Sequence, residues 1–400
     1  MKSKSYVLVV GEASTPALGS IEIGARMAGA EVRHHFSAEA ALELVARRAP
    51  LAVVTVADAP GAHQLATQLR ARSTVPGLAA IGLSRAPTNL LFEEAYGAGV
   101  DDICPLEGRA LGRRLRQVAA SRAKARASAP EQEPSSPGKK ADRVVVVAHA
   151  DSTSRLLIAR VFLDAGYTVR FARDPDQTRA SLEGACALVV TSEIETHERV
   201  VLSAQLRRDG FDGPIIVNTP PKQIGALRSA LAGIDNVVVH DAFGPPANLL
   251  FVTNELCNRP AVEARDSERL LYGCTVSFRS AGRDNGDVGF MYNLSAGGVY
   301  VRTLAPPPRG EEVWLEFTPP RSDRLVHLEG TAVWTRGFGN NGFATVPSGF
   351  GVQVTGGSER DLVRYARSYQ TFLRERSGVK IEHPAPMRRS EAPASLSASP

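Results

Sequence analysis

The chain is poor in the features that most often carry chemistry or cross-links. Its four cysteines, Cys104, Cys186, Cys257 and Cys274, stand far apart and form no Cys-x-x-Cys pair. That spacing argues against a disulfide framework, a thiolate metal cluster or a redox motif, and fits a reducing cytoplasm. No apolar run approaches the roughly 20 residues needed to span a bilayer. The run Tyr6 to Val10, after Met-Lys-Ser-Lys-Ser, is too short for a signal sequence and is ended by Gly11-Glu12. No long run of one charge exists: the net charge is +5 and the basic residues are dispersed. Nucleic acid is therefore not the expected partner. Ser-His-Asp chemistry has no nucleophile elbow here, and no carboxylate pair has an acid–base context, so no enzyme is expected. His34 and His35 are neighbours in one strand, face opposite sides of it and cannot easily share a metal. Gly337-Phe-Gly-Asn-Asn-Gly342 matches Gly-x-Gly-x-x-Gly but joins two strands and opens no helix, so it reads as a turn.

What is present is length and a change of period. Four hundred residues exceed what one core usually supports, so several domains are expected. Residues 5–122 alternate short β-branched runs with helical patterns. Strands are expected at Tyr6–Val10, Glu31–Phe36, Leu51–Val56, Leu78–Leu83 and Asp102–Cys104. Helices are expected at Ile21–Ala30, Ala38–Arg48, Ala62–Arg72, Asn89–Ala98 and Gly108–Arg122. Alternation of this kind makes a parallel sheet with right-handed crossovers, and five units in about 120 residues fit the flavodoxin-like order. Residues 143–255 repeat the pattern, from Arg143-Val-Val-Val-Val147 to a last helix at Pro246–Cys257, so the chain contains an internal repeat. Residues 123–142 lack large apolar residues and read as a flexible linker. From 270 to 356 the pattern becomes that of a small antiparallel barrel, with strands at Leu271–Phe278, Val299–Arg302, Glu312–Phe317, Val326–Trp334 and Gly351–Val354. An amphipathic helix, Ser358–Leu373, closes it through Leu362, Val363, Ala366, Tyr369, Phe372 and Leu373. Residues 377–400 read as a disordered tail. The division expected is 1–122, linker 123–142, 143–258, barrel 259–376 and tail 377–400.

The stretch that organises the chain is Arg265 to Gly298. Arg265-x-x-x-Arg269 precedes a strand, and Asn293-x-Ser295-x-x-Gly298 follows at the next strand–turn junction. Folded back as a hairpin, the second set lies near the first. Arginine forks suit phosphate oxygens and guanine, Asn and Ser supply amide and hydroxyl partners, and Gly lets a ligand approach the backbone. Gly330-Thr-Ala-Val-Trp334 and Gly349-Phe-Gly-Val-Gln353 follow as later strands. This region, about 260 to 376, resembles the PilZ domain, the bacterial receptor module for cyclic di-GMP. The resemblance implies that Arg265 and Arg269 grip phosphates and stack on guanine, that Asn293 and Ser295 read a guanine edge, and that Gly298 permits close approach. It departs from the family at Ala264, where many members are basic.

The two repeats resemble response-regulator receiver domains stripped of their chemistry. The first offers only Glu12 for an acidic pair. Val56 stands at the phosphate-acceptor position with Asp58 past it, Ser84 keeps a hydroxyl, and no Lys follows Cys104. The second has Asp151 at its acidic corner, Thr191 or Ser192 at the acceptor position, Glu193 nearby, and His240-Asp241-Ala242-Phe243 in place of the strand-five Lys. No phosphorylation and no metal site are expected in either. Receivers commonly dimerise or dock partners through the last strand–helix face, so the resemblance implies protein partners through these domains, or a homodimer. Gly108–Arg122, with Arg109, Arg113, Arg114 and Arg116, is either an acidic partner's surface or a solvated face. The whole reads as a cytoplasmic, non-enzymatic cyclic di-GMP effector needing no cofactor, without membrane insertion, and in the family usually tied to motility or surface behaviour. The alternative is a nucleotide-independent interaction scaffold.

Overall fold

The computed structural model describes residues 5–59, 61–62, 64–65, 68–69, 78–127, 143–148, 151–191, 195–257, 267–283, 285–339 and 344–377. The expected fold class is what it shows: two parallel-sheet α/β units followed by a closed antiparallel barrel with a C-terminal helix.

The first unit places β1 (Tyr6–Val10), β2 (Glu31–His35), β3 (Ala52–Val56), β4 (Ala79–Ser84) and β5 (Asp102–Pro105) in the order β2-β1-β3-β4-β5, all parallel. β1 is buried along its whole length, as an unalternating apolar strand in a two-faced sheet must be. The helices are α1 (Thr15–Met27), α2 (Ala38–Arg47), α3 (Asn89–Gly97) and α4 (Gly108–Ala127). Two boundaries differ from expectation by five residues or more. α1 starts six residues before Ile21, because Pro16 sits in the first turn where its missing N–H costs nothing. α4 runs five residues into the stretch read as linker. The helix expected at Ala62–Arg72 falls partly outside the described residues. Ser37 caps α2 as expected, accepting from the Ala40 N–H at 3.3 Å.

The second unit repeats the topology. β6 (Val144–Ala148), β7 (Thr168–Ala172), β8 (Ala185–Val190), β9 (Ile215–Thr219) and β10 (Val237–Asp241) stand in the order β7-β6-β8-β9-β10. Its helices are α5 (Ser152–Asp164), α6 (Pro175–Ser181), α7 (Thr196–Arg208), α8 (Pro221–Leu231) and α9 (Ala247–Cys257).

The barrel is built from β12 (Thr275–Ser280), β13 (Asp287–Ser295), β14 (Gly298–Arg302), β15 (Glu312–Phe317), β16 (Val326–Arg336) and β17 (Gly349–Gly357). It closes through β13–β14, and the two-residue β11 (Leu270–Leu271) is added beside β13. The run read as one strand, Leu271–Phe278, is thus two, broken at Tyr272-Gly273-Cys274. Strand β13 was not expected at all. Asp287-Val-Gly-Phe-Met-Tyr-Asn-Leu-Ser shows no apolar–polar alternation because both of its faces are covered. Met291 and Leu294 point into the barrel core. Phe290 packs outward on Phe92, Tyr96 and Ile103 of the first unit, and Tyr292 on Ala247 and Phe251 of the second. α10 (Glu359–Ser377) seats Tyr365 and Tyr369 in the barrel core. Its phase differs from the expectation, since Tyr365 is buried and Val363 is 43% exposed.

Between the first unit and the barrel lies a buried ion cluster. Arg114 of α4, fully buried, donates through Nε to Asp102 Oδ2 at 2.7 Å and through Nη1 to Asp287 Oδ1 at 2.9 Å. Arg113 reaches Asp287 Oδ2 at 2.8 Å. Asp102 Oδ2 also accepts from the Leu304 N–H at 2.7 Å and from Thr303 at 3.1 Å. Arg113 and Arg114 therefore meet acidic partners within the same chain, while Arg109 and Arg116 are exposed. Burial raises the pKa of Asp102, whose Oδ1 is buried without a hydrogen-bond partner, against the pull of Arg114. Burial also acts to raise that of Asp287, but Arg114 and Arg113 together outweigh it and hold Asp287 below the usual carboxylate range.

Removing Arg114 leaves Asp102 buried without a charged partner and Asp287 with Arg113 as its close partner. Arg114→Ala is expected to lower unfolding stability by about 3–5 kcal/mol, and Arg116→Ala by no more than about 0.5 kcal/mol, in denaturant titration. Equal effects would show that the cluster does not hold the interface. The lowered Asp287 adds stability in full above the ~3.9 of an unfolded aspartate and loses it as pH falls through the depressed folded value. The stability gap between wild type and Asp287→Asn is therefore expected to close on acidification below about pH 4.

Candidate functional site

The site is built on the hairpin β13–β14. Ser295 pairs with Gly298 across the turn residues Ala296 and Gly297. Gly298 is required by packing: a Cβ there would lie 2.5 Å from the Val352 carbonyl oxygen of β17, the strand paired alongside β14. Just before the turn, Met291 and Leu294 both face the core although they are three apart, and the β13–β14 register shifts between Met291 and Asn293. That is a β-bulge, and it turns Tyr292 and Asn293 together onto the outer face.

The two motifs meet here. β11 runs antiparallel to β13 with Leu270 opposite Leu294 and Leu271 opposite Asn293. One step further along this register sets Arg269 across from Ser295. Ser267 Oγ accepts from the Ala296 N–H at 3.3 Å, and the Tyr369 hydroxyl donates to the Glu268 carbonyl at 2.8 Å. The Tyr365 hydroxyl lies 2.7 Å from the Ser295 carbonyl and 3.1 Å from that of Gly298, and Ser295 Oγ is 3.4 Å from the latter. Helix α10 thus clamps both motifs through two buried tyrosines. Sequence reading missed Ser267 and Tyr365. The signal available was helical spacing, since Tyr365 lies four residues before Tyr369 and on the same face.

The residues differ in access. Arg269 is exposed, Ser295 is half-buried, and Asn293 is buried at 5% exposure. Arg265 lies outside the described residues. Beside Asn293 an outward row crosses three more strands: Tyr300, Gly351 and Trp334, paired in turn. The Tyr300 and Trp334 rings lie 5.6 Å apart, and Trp334 is 43% exposed.

The aspartates nearest the phosphotransfer positions of a receiver, Asp58 and Asp151, have other roles. Val56 ends β3, and Asp58 accepts from Ser84 Oγ at 2.7 Å and from the Arg85 N–H at 2.9 Å, which ties the ends of two strands. Pro105 ends β5. Asp151 caps α5, accepting from Thr153 N and Ser154 N at 2.8 Å. Burial opposes its ionisation, but the bonds from Ser154 and Thr153 prevail and lower its pKa. Thr191 is buried, and Ser192 and Glu193 lie outside the described residues. His34 is bound through Nε2 to the Gly11 carbonyl at 2.7 Å. Among the described residues there is no cluster of three His, Cys, Asp or Glu suited to a metal, and no helix long and apolar enough to cross a membrane.

Residues 263–368, a little over a quarter of the chain, match the PilZ domain family. No curated protein matches the sequence. Among solved structures, the chain is similar to the Bacillus subtilis inhibitor of motility (MotI/DgrA), at 16% identity and TM-score 0.24, over 29% of this chain and 54% of that one. It thus spans about half of that protein. It is also similar to the PilZ domain of CeSA from a cellulose-synthesizing bacterium, at 16% identity and TM-score 0.20, over 28% and 99%. The E. coli RcsC C-terminus, with a linker and a phosphoreceiver domain, aligns at 13% identity and TM-score 0.24, over 63% and 93%. At such scores the topology above, and not these alignments, carries the fold.

Since the Val352 carbonyl occupies the space of a side chain at position 298, Gly298→Ala is expected to destabilise the barrel by about 1–3 kcal/mol. Its thermal midpoint should fall well below that of Gly297→Ala, which meets nothing within 4 Å. Equal midpoints would show that β17 yields there.

Proposed function

We propose that the chain is a cyclic di-GMP effector whose ligand is held at the β13–β14 hairpin by Arg265, Arg269, Asn293, Ser295 and Gly298. The observation that carries the reading is the antiparallel pairing of β11 with β13. It brings the Arg-x-x-x-Arg end against the Asn-x-Ser-x-x-Gly turn within a match to the PilZ family. In this reading Arg269 and Arg265 take phosphate oxygens and a guanine face, where a planar fork binds bidentately. Ser295 and Asn293 take a guanine edge, with Ser295 the more accessible. Gly298 keeps the turn close against β17, where a side chain would meet the Val352 carbonyl.

No step of this reading is catalytic, so output must travel by differential binding. Both last strand–helix faces of the α/β units, the ones expected to meet partners, are turned onto the barrel in this chain. The ligand therefore acts on how the barrel is held between them, and partner proteins in the cytoplasm read the altered arrangement. Motility or surface behaviour is the process this reading favours. One observation favours the second reading, a nucleotide-independent scaffold: Asn293 is almost closed to solvent.

Isothermal titration of the full chain with cyclic di-GMP separates the two. Arg269→Ala is expected to weaken binding by more than about tenfold, since losing a charge-paired contact costs roughly 2–5 kcal/mol, and Ser295→Ala by a few-fold, since a neutral hydrogen bond contributes about 0.5–1.5 kcal/mol. Their melting curves should stay unchanged. Absence of binding by the folded wild type would leave the scaffold.

A further inference from the structure

Cys186 and Cys257 are 71 positions apart in sequence, which hid their relation. In the fold they touch. Cys186 is the second residue of β8, and Cys257 is the last residue of α9. The Cys257 thiol donates to the Cys186 carbonyl oxygen at 3.4 Å. Both side chains are partly exposed at the margin of the second unit's core, whereas Cys104 and Cys274 are buried. The neighbouring Cys257 thiol, aided by Arg143, holds Cys186 below the ordinary thiol range. The same pairing, with burial, pushes Cys257 up. One activated sulfur beside one protonated sulfur is the arrangement of a reactive dithiol.

We propose that Cys186 and Cys257 form a redox-responsive dithiol that reacts with hydroperoxide-class oxidants and closes to a disulfide, tethering the end of α9 to β8. The Cys186 thiolate attacks one peroxide oxygen, the O–O bond breaks, and hydroxide leaves, taking up a proton to become water. The Cys257 sulfur then attacks the sulfur of the resulting Cys186 sulfenic acid, the S–O bond breaks, and the hydroxide that leaves takes the Cys257 proton, giving the disulfide and a second water. Two thiols are oxidised and one peroxide is reduced to two waters. Thiol–disulfide exchange with a cellular dithiol reverses it.

The tether lies on a short route to the proposed ligand site. α9 accepts the Tyr292 hydroxyl at the Ala247 carbonyl and packs Phe251 on the Tyr292 ring, at 6.0 Å and 88°. Tyr292 is the bulge residue that precedes Asn293. Oxidation thus constrains the helix that positions the bulge. This effect on affinity rests on the cyclic di-GMP reading, while the thiol chemistry does not.

The test uses the full reduced chain treated with hydrogen peroxide. Two of the four thiols are expected to disappear in a denatured thiol count, and non-reducing peptide mapping should show one cross-link, Cys186–Cys257. Cys186→Ser should abolish the cross-link. Mapping of the wild type decides the matter even if that variant folds poorly. Four surviving thiols, or a cross-link through other cysteines, would overturn the proposal. Cyclic di-GMP affinity of the oxidised and reduced chains is expected to differ by at least about fivefold, the lower end of ordinary coupling between sites. Equal affinities would remove the regulatory role and leave the thiol result. If neither form binds, the ligand reading fails and the thiol count still decides the dithiol.

Discussion

The structure depends on one strand being buried on both of its faces. β13 gives Met291 and Leu294 to the barrel core while Phe290 and Tyr292 enter the two flanking α/β units. Burying a large apolar side chain contributes on the order of 1.5–3 kcal/mol, so each outward aromatic is a substantial part of its interface. Phe290 stacks on Phe92 at 5.1 Å, and Arg302 lies over the adjacent Tyr96 ring at 3.4 Å. The ion cluster around Arg114 sits at the start of the same strand, since Asp287 is its first residue. Apolar packing supplies the attraction. The buried charges make the docking geometry specific, because any slip leaves a carboxylate without its arginine.

This arrangement changes what the two α/β units are for. Neither places an acceptor carboxylate where a receiver would, and Asp58 and Asp151 are bound up as a strand tie and a helix cap. Each turns its final helix toward the barrel instead: α4 through Arg113 and Arg114, α9 through Ala247 and Phe251. In the proposed reading the chain is a clasp, in which a ligand at the β13–β14 hairpin and a thiol pair at the end of α9 would act on the same bulge.

Much of this was legible in the sequence. The α/β repeat was readable because parallel strands buried on both faces appear as unbroken β-branched runs such as Val144–Ala148, separated by helical periods. The site motifs were readable because short polar and glycine residues at fixed offsets mark a turn. β13 escaped because it is also buried on both faces, and in a region read for barrel alternation its Gly289 and its apolar run looked like loop. The salt-linked face of α4 escaped because Arg113 and Arg114 resemble solvated arginines until Asp287 arrives from 173 residues away. The cysteine pair escaped for the same reason: contact order is not visible in spacing.

Hydrogen–deuterium exchange of the full chain, with and without cyclic di-GMP, tests the central claim most directly. Slower exchange is expected at 267–271 and 293–298, the proposed ligand site, together with a change in α9, which holds the bulge. Little change is expected in the buried strands β1 and β6. Identical exchange in both states at saturating nucleotide would contradict that claim.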